Sequence, residues 1–279
     1  MVCKRIEAPK RAKERETRMT QNLQGKAVIV TGASSGIGRS IAVELGKAGA
    51  DLWLVGRNAG ELEATAAQVR EAGGPQAHLA PMDLRQRGLL ADLVLDVERQ
   101  HAHLAGLINN AGVMFPEPIL RSSMERWQTM FDINVLAMLE GCQAAVEAMR
   151  RQGRSGHLVN IGSVAARFEV PGVYGITKRA VELIGETLRH ELEHDDIRVT
   201  TIVPGGFATQ LARGFQPEEM AAIAANFDKL GLEFGGAGTE KVVADPQHIA
   251  NMVRYVLTQP IDINIQEIVI RPPISTKAE

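Results

Sequence analysis

Lys26-Ala-Val-Ile-Val-Thr-Gly-Ala-Ser-Ser-Gly-Ile-Gly38 decides how the rest of this chain folds. Lys26 to Val30 reads as a buried strand, Thr31 to Gly38 as a glycine-rich turn, and a helix follows from Ile37 to about Ala48. Glycine allows the tight turn and a close approach of backbone to a ligand. The unpaired N–H groups at the start of the helix suit a pyrophosphate. Such a turn also serves plain strand-to-helix packing, so the remaining chain must decide between the two.

Outward from it, the same alternation continues. Strands are expected at Asp51–Val55, Gln76–Pro81, Leu104–Asn109, Gly156–Ile161, Ile197–Val203 and Asn264–Ile270. Helices are expected from Asn58 to about Ala72, Leu84 to about His101, Ser122 to about Arg150, Val173 to Leu192 and Pro246 to Thr258. Continuous apolar strands separated by amphipathic helices imply a parallel sheet covered on both faces. Right-handed crossovers then give an α/β fold, a single Rossmann-type doubly wound parallel sheet spanning residues 22–279. The segment from about 207 to 245, rich in glycine and alanine, is expected to form a small lid over a cleft, although a floppy insertion would have the same composition.

Composition excludes several classes of function. The chain has 279 residues, 45% of them hydrophobic and 23% charged, with a net charge of -2, as expected of an ordinary globular protein. That charge gives no electrostatic reason for a nucleic-acid partner, and no apolar run is long enough to span a membrane. Cys3 and Cys142 are too scattered for a disulfide framework or a metal site, so a reducing, cytoplasmic setting is the default expectation. Residues 1–21 carry Lys4, Arg5, Lys10, Arg11, Lys13, Arg15 and Arg18 with little that could pack, and read as a disordered basic tail. Glu7, Glu14 and Glu16 interrupt the charge and weaken the alternative of a membrane- or nucleic-acid-binding arm.

In open sheets of this kind ligands bind beyond the carboxyl ends of the strands, and the unusual residues of this chain sit there. After the second strand, Gly56-Arg57 stands where an acidic residue would take the ribose hydroxyls of NAD. A guanidinium without a carboxylate suits the extra phosphate of NADP. Asp83, after the third strand, could meet an adenine amine or cap the next helix with Gln86 in the capping-box position. Asn109-Asn-Ala-Gly112 leaves room for a ribose. Asn134 interrupts a long apolar helix face formed by Met124, Trp127, Phe131, Val135 and Met138; it is either a satisfied core polar group or a kink that holds a water. Tyr174 and Lys178 are four residues apart on one helix face. An ammonium beside a phenol favours the phenolate, making a proton donor and acceptor that works near neutral pH.

Together, Thr31-Gly-Ala-Ser-Ser-Gly-Ile-Gly38, Asp83, Asn109-Asn-Ala-Gly112, Asn134, Ser163, Tyr174, Lys178 and Pro204-Gly205 with Thr209 resemble the short-chain dehydrogenase/reductase family over roughly residues 22–273. Asn264 to Pro272 further resembles the branch acting on 3-hydroxy acids, serine and related small alcohols or carbonyls. The resemblance implies an NADP-dependent oxidoreductase acting on a small hydroxyl or carbonyl compound. Tyr174 would be its acid/base, Ser163 the donor to the substrate oxygen, Lys178 the group that lowers the tyrosine pKa and holds the nicotinamide ribose, and Asn134 the holder of a relay water. Gly32, Ser34, Ile37, Gly38, Arg57, Asp83, Leu84, Asn110, Gly112, Pro204, Gly205 and Thr209 would line the cofactor, and the long helices would make a homodimer or homotetramer. Arg167, Phe168, Phe207 and Arg213 are candidates to face the substrate.

One departure bears on this. Ser163 and Tyr174 are eleven positions apart, a shorter spacing than the family pattern, with the deficit within Arg167-Phe-Glu-Val-Pro-Gly-Val173. A displaced pair would lose rate steeply. This leaves open a nucleotide-binding sensor or scaffold with weakened chemistry, beside a lyase or epimerase that uses a tightly held cofactor.

Overall fold

The computed structural model describes residues 23–167, 172–211 and 239–274, with 215, 217, 218, 220, 221, 224 and 225 between them. The expected basic tail and the substrate candidates Phe168 and Arg213 lie outside the described residues. Seven strands form one parallel sheet in the order β3-β2-β1-β4-β5-β6-β7. They are β1 (Ala27–Thr31), β2 (Asp51–Gly56), β3 (His78–Pro81), β4 (Leu104–Asn109), β5 (Gly156–Ile161), β6 (Ile197–Pro204) and β7 (Glu267–Ile270). The expected doubly wound α/β architecture is present.

The continuous apolar character of β1 has a simple cause. Successive side chains point to opposite faces. Val28 and Val30 enter one core layer with Ile41 and Leu45 of α1 (Gly36–Lys47), Leu62 of α2 (Ala59–Glu71) and Val253 of α7 (Gln247–Leu257). Ala27 and Ile29 enter the other, with Val94 of α3 (Leu89–Gln100), Met149 of α5 (Ala137–Gln152) and Val181 of α6 (Val173–Glu191). Burial of an Ile or Leu such as Ile29 or Leu45 stabilises the fold by about 1.5–3 kcal/mol.

Two expectations about helices need correction. A helix beginning at Leu84 is not formed: α3 starts at Leu89, with Gly88 before it at φ 86°. Asp83 therefore does not cap it. Its carboxylate instead accepts from the Arg85 backbone N–H and the Arg85 guanidinium, and its carbonyl accepts from the Gln86 N–H, closing a turn. The second is the stretch read as one helix from Ser122 to Arg150. It is α4 (Met124–Phe131, capped by Ser123), a π-helical turn at Asp132–Leu136, and α5. The inserted turn rotates the helix face, so Met124 is 65% and Phe131 37% exposed while Val135 and Met138 stay buried.

Asn134 lies in that π turn. Its Oδ1 accepts from the Val113 N–H at 2.8 Å, and its Nδ2 donates to the Val113 carbonyl and the Thr177 hydroxyl, both at 3.0 Å. The turn thus fastens the loop after β4 to α6. Farther on, the two ends of the stretch from 207 to 245, much of which lies outside the described residues, are joined: Phe207 bridges Ala244, the Ala208 N–H donates to the Ala244 carbonyl, and the Ala244 N–H to Gly206.

Asn134→Leu would leave the Val113 N–H and carbonyl without their partner. A loss of about 2–4 kcal/mol is expected, read as a lower urea midpoint with an unchanged slope. A loss below about 0.5 kcal/mol would show that the asparagine is not what joins the loop to the helix.

Candidate active site

The carboxyl ends of the strands open into one cleft of about 910 Å³. Gly32, Ser34, Ile37, Gly38, Arg57, Asp83, Leu84, Asn110, Gly112, Ser163, Tyr174, Lys178, Pro204, Gly205 and Thr209 all line it. Asn134 does not. It lines a second cavity of about 10 Å³ with Lys178, Thr31 and Asn109, which is the volume of about one water molecule.

One end of the cleft is built where the strand order reverses, between β1 and β4. The Thr31 hydroxyl donates to the Ile108 carbonyl and accepts from the N–H groups of Asn110 and Ala111, all at 3.0 Å. Asn110 Nδ2 donates back to the carbonyls of Thr31 and Gly32. The side chain of Asn110 thus holds the turn after β1 rather than reaching toward a ligand. A Cβ on Gly38 would lie 2.2 Å from the Gly32 carbonyl oxygen and 2.5 Å from Asn110 Nδ2, so glycine is required there for close packing. The helix that follows has no side-chain N-cap hydrogen bond and no acidic residue in its first turn. Its free N–H groups and partial positive charge face the cleft, which fits a dinucleotide pyrophosphate. Arg57 is exposed at the cleft edge and makes no ion pair with a described residue, whereas the Asp83 carboxylate is held by Arg85. The Arg85 hydrogen bond keeps the Asp83 carboxyl below the usual carboxylate range.

At the other end, Ser163 and Tyr174 line the same cleft, and the serine hydroxyl acts to lower the pKa of the phenol. Despite the shortened spacing, both the serine and the tyrosine line the cleft. Ser163 also caps the 3-10 turn Val164–Ala166, accepting from the Ala165 N–H. Tyr174 and Lys178 are 4% and 5% exposed, and Lys178 Nζ stands 5.9 Å from the centre of the tyrosine ring. The ammonium donates at 2.8 Å to the Ile161 carbonyl at the end of β5.

The expected acidification of Tyr174 by Lys178 is not found in this form of the protein. Burial pushes the phenol up to about 12, against a smaller opposing effect of the Ser163 hydroxyl, which can donate to a phenolate. Burial lowers Lys178 to about 8. Desolvation disfavours the charged form of each group, and here it outweighs the attraction of an ammonium directed at a backbone carbonyl.

Arg167, a candidate to face the substrate, is also corrected. Its guanidinium pairs with Glu182 at 2.9 Å and with Glu267 on β7, and Glu182 pairs with Arg179 as well. Glu182 is buried one helical turn beyond Lys178, so this network ties the turn after Ser163 to α6. Phe207 does line the cleft. Sequence reading missed Thr177, whose hydroxyl donates to the Tyr174 carbonyl and accepts from Asn134. A threonine between Tyr174 and Lys178 carries no signal of such a link. Also missed were the apolar wall residues Met114, Phe115, Leu211, Phe215 and Met220; apolar residues in loops give no periodicity to read.

Comparison with known proteins agrees with this geometry. The family described as short chain dehydrogenase matches residues 26–220. An uncharacterised oxidoreductase of Staphylococcus epidermidis is 34% identical over 250 residues, covering 88% of this chain and 97% of that protein. One from Staphylococcus aureus is 33% identical over 253 residues, covering 90% and 98%. Among solved structures, a metagenomic short-chain oxidoreductase in complex with NADP superimposes with a TM-score of 0.73 at 27% identity, covering 91% of this chain and 100% of the other. The closed form of serine dehydrogenase complexed with NADP+ gives 0.73 at 26% identity, covering 88% and 94%. From the glycine turn, the sheet order and these matches together, the chain belongs to the short-chain dehydrogenase/reductase family of oxidoreductases.

Proposed function

We propose that the protein is an NADP-dependent oxidoreductase that moves a hydride between the nicotinamide and a small hydroxyl or carbonyl compound. The observation that carries this reading is the convergence of Ser163, Tyr174 and Lys178 on one cleft, with the serine hydroxyl acting on the phenol and the Lys178 ammonium beside the same ring. When bound, the nicotinamide supplies or accepts the hydride.

The residues of the chain manage the proton. Tyr174, with its pKa near 12, is fully protonated at neutral pH and serves as the acid that gives a proton to a carbonyl oxygen. Ser163 donates to that same oxygen, where negative charge develops as the hydride arrives. In the oxidation direction Tyr174 must act as the phenolate, a form that positive charge within a few ångströms favours. Lys178 is the chain's own source of that charge. The water-sized cavity beside Lys178 and Asn134 supports the reading of Asn134 as part of a proton relay to Lys178.

Cofactor choice rests on Arg57. Gly56 leaves no carboxylate to take ribose hydroxyls, and the exposed guanidinium beside it matches the extra phosphate of NADP. The NADP complexes among the structural relatives support the same choice. Exposed Ile176 and Leu183 on α6, and Phe131 and Leu139 on the neighbouring helices, support a homodimer or homotetramer built through these faces. No helix among the described residues is long and apolar enough to cross a membrane.

Two substitutions test the proposal. Tyr174→Phe should lower kcat/KM for NADPH-dependent carbonyl reduction by about 10²–10⁴-fold with NADPH affinity retained; an undiminished rate would remove Tyr174 from the chemistry. Arg57→Ala should weaken NADPH by about 10–100-fold and leave NADH nearly unchanged, measured by nucleotide fluorescence. Equal losses for both nucleotides would mean that Arg57 does not contact the extra phosphate.

A further inference from the structure

Val173 and Tyr174 open α6, and the residue before them is Gly172, with φ 98° and ψ -179°. That region of backbone conformation is essentially restricted to glycine. Space restricts the position as well. A Cβ on Gly172 would collide with the Glu117 carbonyl oxygen and lie 3.2 Å from the carbonyl carbon. The chain two residues before Tyr174 therefore rests directly on the backbone of Glu117.

Glu117 is a firm seat. It stands between Pro116 and Pro118, whose rings fix their own φ and restrict Phe115 and Glu117 to extended backbone. On one side of it, Asn134 holds both the N–H and the carbonyl of Val113. On the other, the Pro118 carbonyl accepts from the N–H groups of Arg121 and Ser122. The Glu117 carboxylate pairs with Arg126 on α4, whose guanidinium lies 5.0 Å from the centre of the Phe115 ring. Trp127 and Met130 of the same helix pack in the cluster that contains Val173 and Tyr174. A side chain at position 172 would thus meet a held segment, and the start of α6 would have to move instead.

We infer that Gly172 and Glu117 are positioning residues for Tyr174: their backbone contact, locked by the Arg126–Glu117 ion pair, sets where the phenol stands after the shortened connection from Ser163. The inference rests on the proposed role of Tyr174 in proton transfer and deepens it. Each residue of a connection supplies two soft dihedral angles, so a shorter one has fewer with which to correct an error at its end. The end must then be fixed from outside, and Glu117 is the fixed point. Gly172 and Glu117 are not among the residues that line the cleft; they act through the first turn of α6.

The test uses the full-length protein and reads Tyr174 in two ways, by NADPH-dependent carbonyl reduction and by carbon-13 titration of tyrosine Cζ without cofactor. Gly172→Ala is expected to lower kcat about 100-fold, with the Kd for NADPH changed by less than about twofold. In that variant the Tyr174 resonance should titrate below about 12, because a displaced phenol loses the burial that raises it. Glu117→Ala, which frees the segment from Arg126, should lower kcat about tenfold. Glu117→Gln still accepts from Arg126 and should restore most of that loss. Gly73→Ala puts a side chain at a φ of 85° where no atom lies within 4 Å, and should change neither kcat nor the Tyr174 titration.

A Gly172→Ala protein with unaltered kcat and an unshifted Tyr174 titration would overturn the inference. Equal losses in Gly172→Ala and Gly73→Ala would overturn it too, by reducing the effect to general stability. If Gly172→Ala does not fold, the Glu117 pair decides: equal kcat in Glu117→Ala and Glu117→Gln overturns the inference, and rescue by glutamine upholds it. If the unaltered protein turns over no carbonyl compound, the oxidoreductase reading falls. The Tyr174 titration then decides alone: a drop in Gly172→Ala upholds the positioning and no drop overturns it.

Discussion

The structure depends on holding an ammonium where a protein interior does not favour one. Lys178 is buried, and its hydrogen bond runs to a single backbone carbonyl, that of Ile161, with no carboxylate partner among the described residues. An isolated buried charge costs several kcal/mol even after local relaxation. The carbonyl offsets part of that, and the face of the Tyr174 ring at 5.9 Å offsets a little more. The remaining strain shows as a lysine lowered to about 8. Packing alone would favour a methionine at such a position. A lysine kept there beside a buried phenol is the kind of poised titratable pair that marks a site of proton chemistry.

Around this pair the fold behaves as a positioning device. Residues of β1, β4 and β5 come to one place because the strand order reverses between β1 and β4, and Thr31 with Asn110 fastens that crossing. Asn134, in its π turn, binds the loop after β4 to Thr177 on α6. Glu182, one turn beyond Lys178, binds the turn after Ser163 through Arg167. α6 is therefore held from both sides of the cleft, which keeps the Ser163 hydroxyl and the Tyr174 phenol in register across a shortened connection.

Most of the fold was legible because it rests on local patterns. Alternating burial made β1 read as a continuous apolar run, and the glycine turn announced both the strand end and the helix start. β4 and β5 were located to the residue. The breaks were less legible. Gly88, not Asp83, sets the start of α3, since a glycine at positive φ outside a periodic stretch gives no sign of which turn it closes. The π turn at Asp132–Leu136 keeps helical composition, so only the oddity of Asn134 hinted at it. In the site, residue types and order revealed Ser163, Tyr174 and Lys178. The electrostatic balance between them was not legible, because desolvation depends on a three-dimensional enclosure that spacing does not report. Arg167 was misread for a similar reason: its partners are fifteen and one hundred positions away.

The most direct test follows the Tyr174 phenol itself. Tyr174 and Tyr255 are the two tyrosines of the chain, so carbon-13 labelling at tyrosine Cζ gives two resonances that Tyr174→Phe assigns. In cofactor-free protein Tyr174 should stay protonated well above the ordinary phenol range, toward about 12, because its raised pKa favours the neutral form until that pH. With NADP+ bound, Lys178 close by should bring its titration below the ordinary value of about 10, and Lys178→Met should abolish that drop. A Tyr174 that titrates near 12 with NADP+ bound, or is indifferent to Lys178→Met, would contradict the pairing on which the enzymatic reading stands.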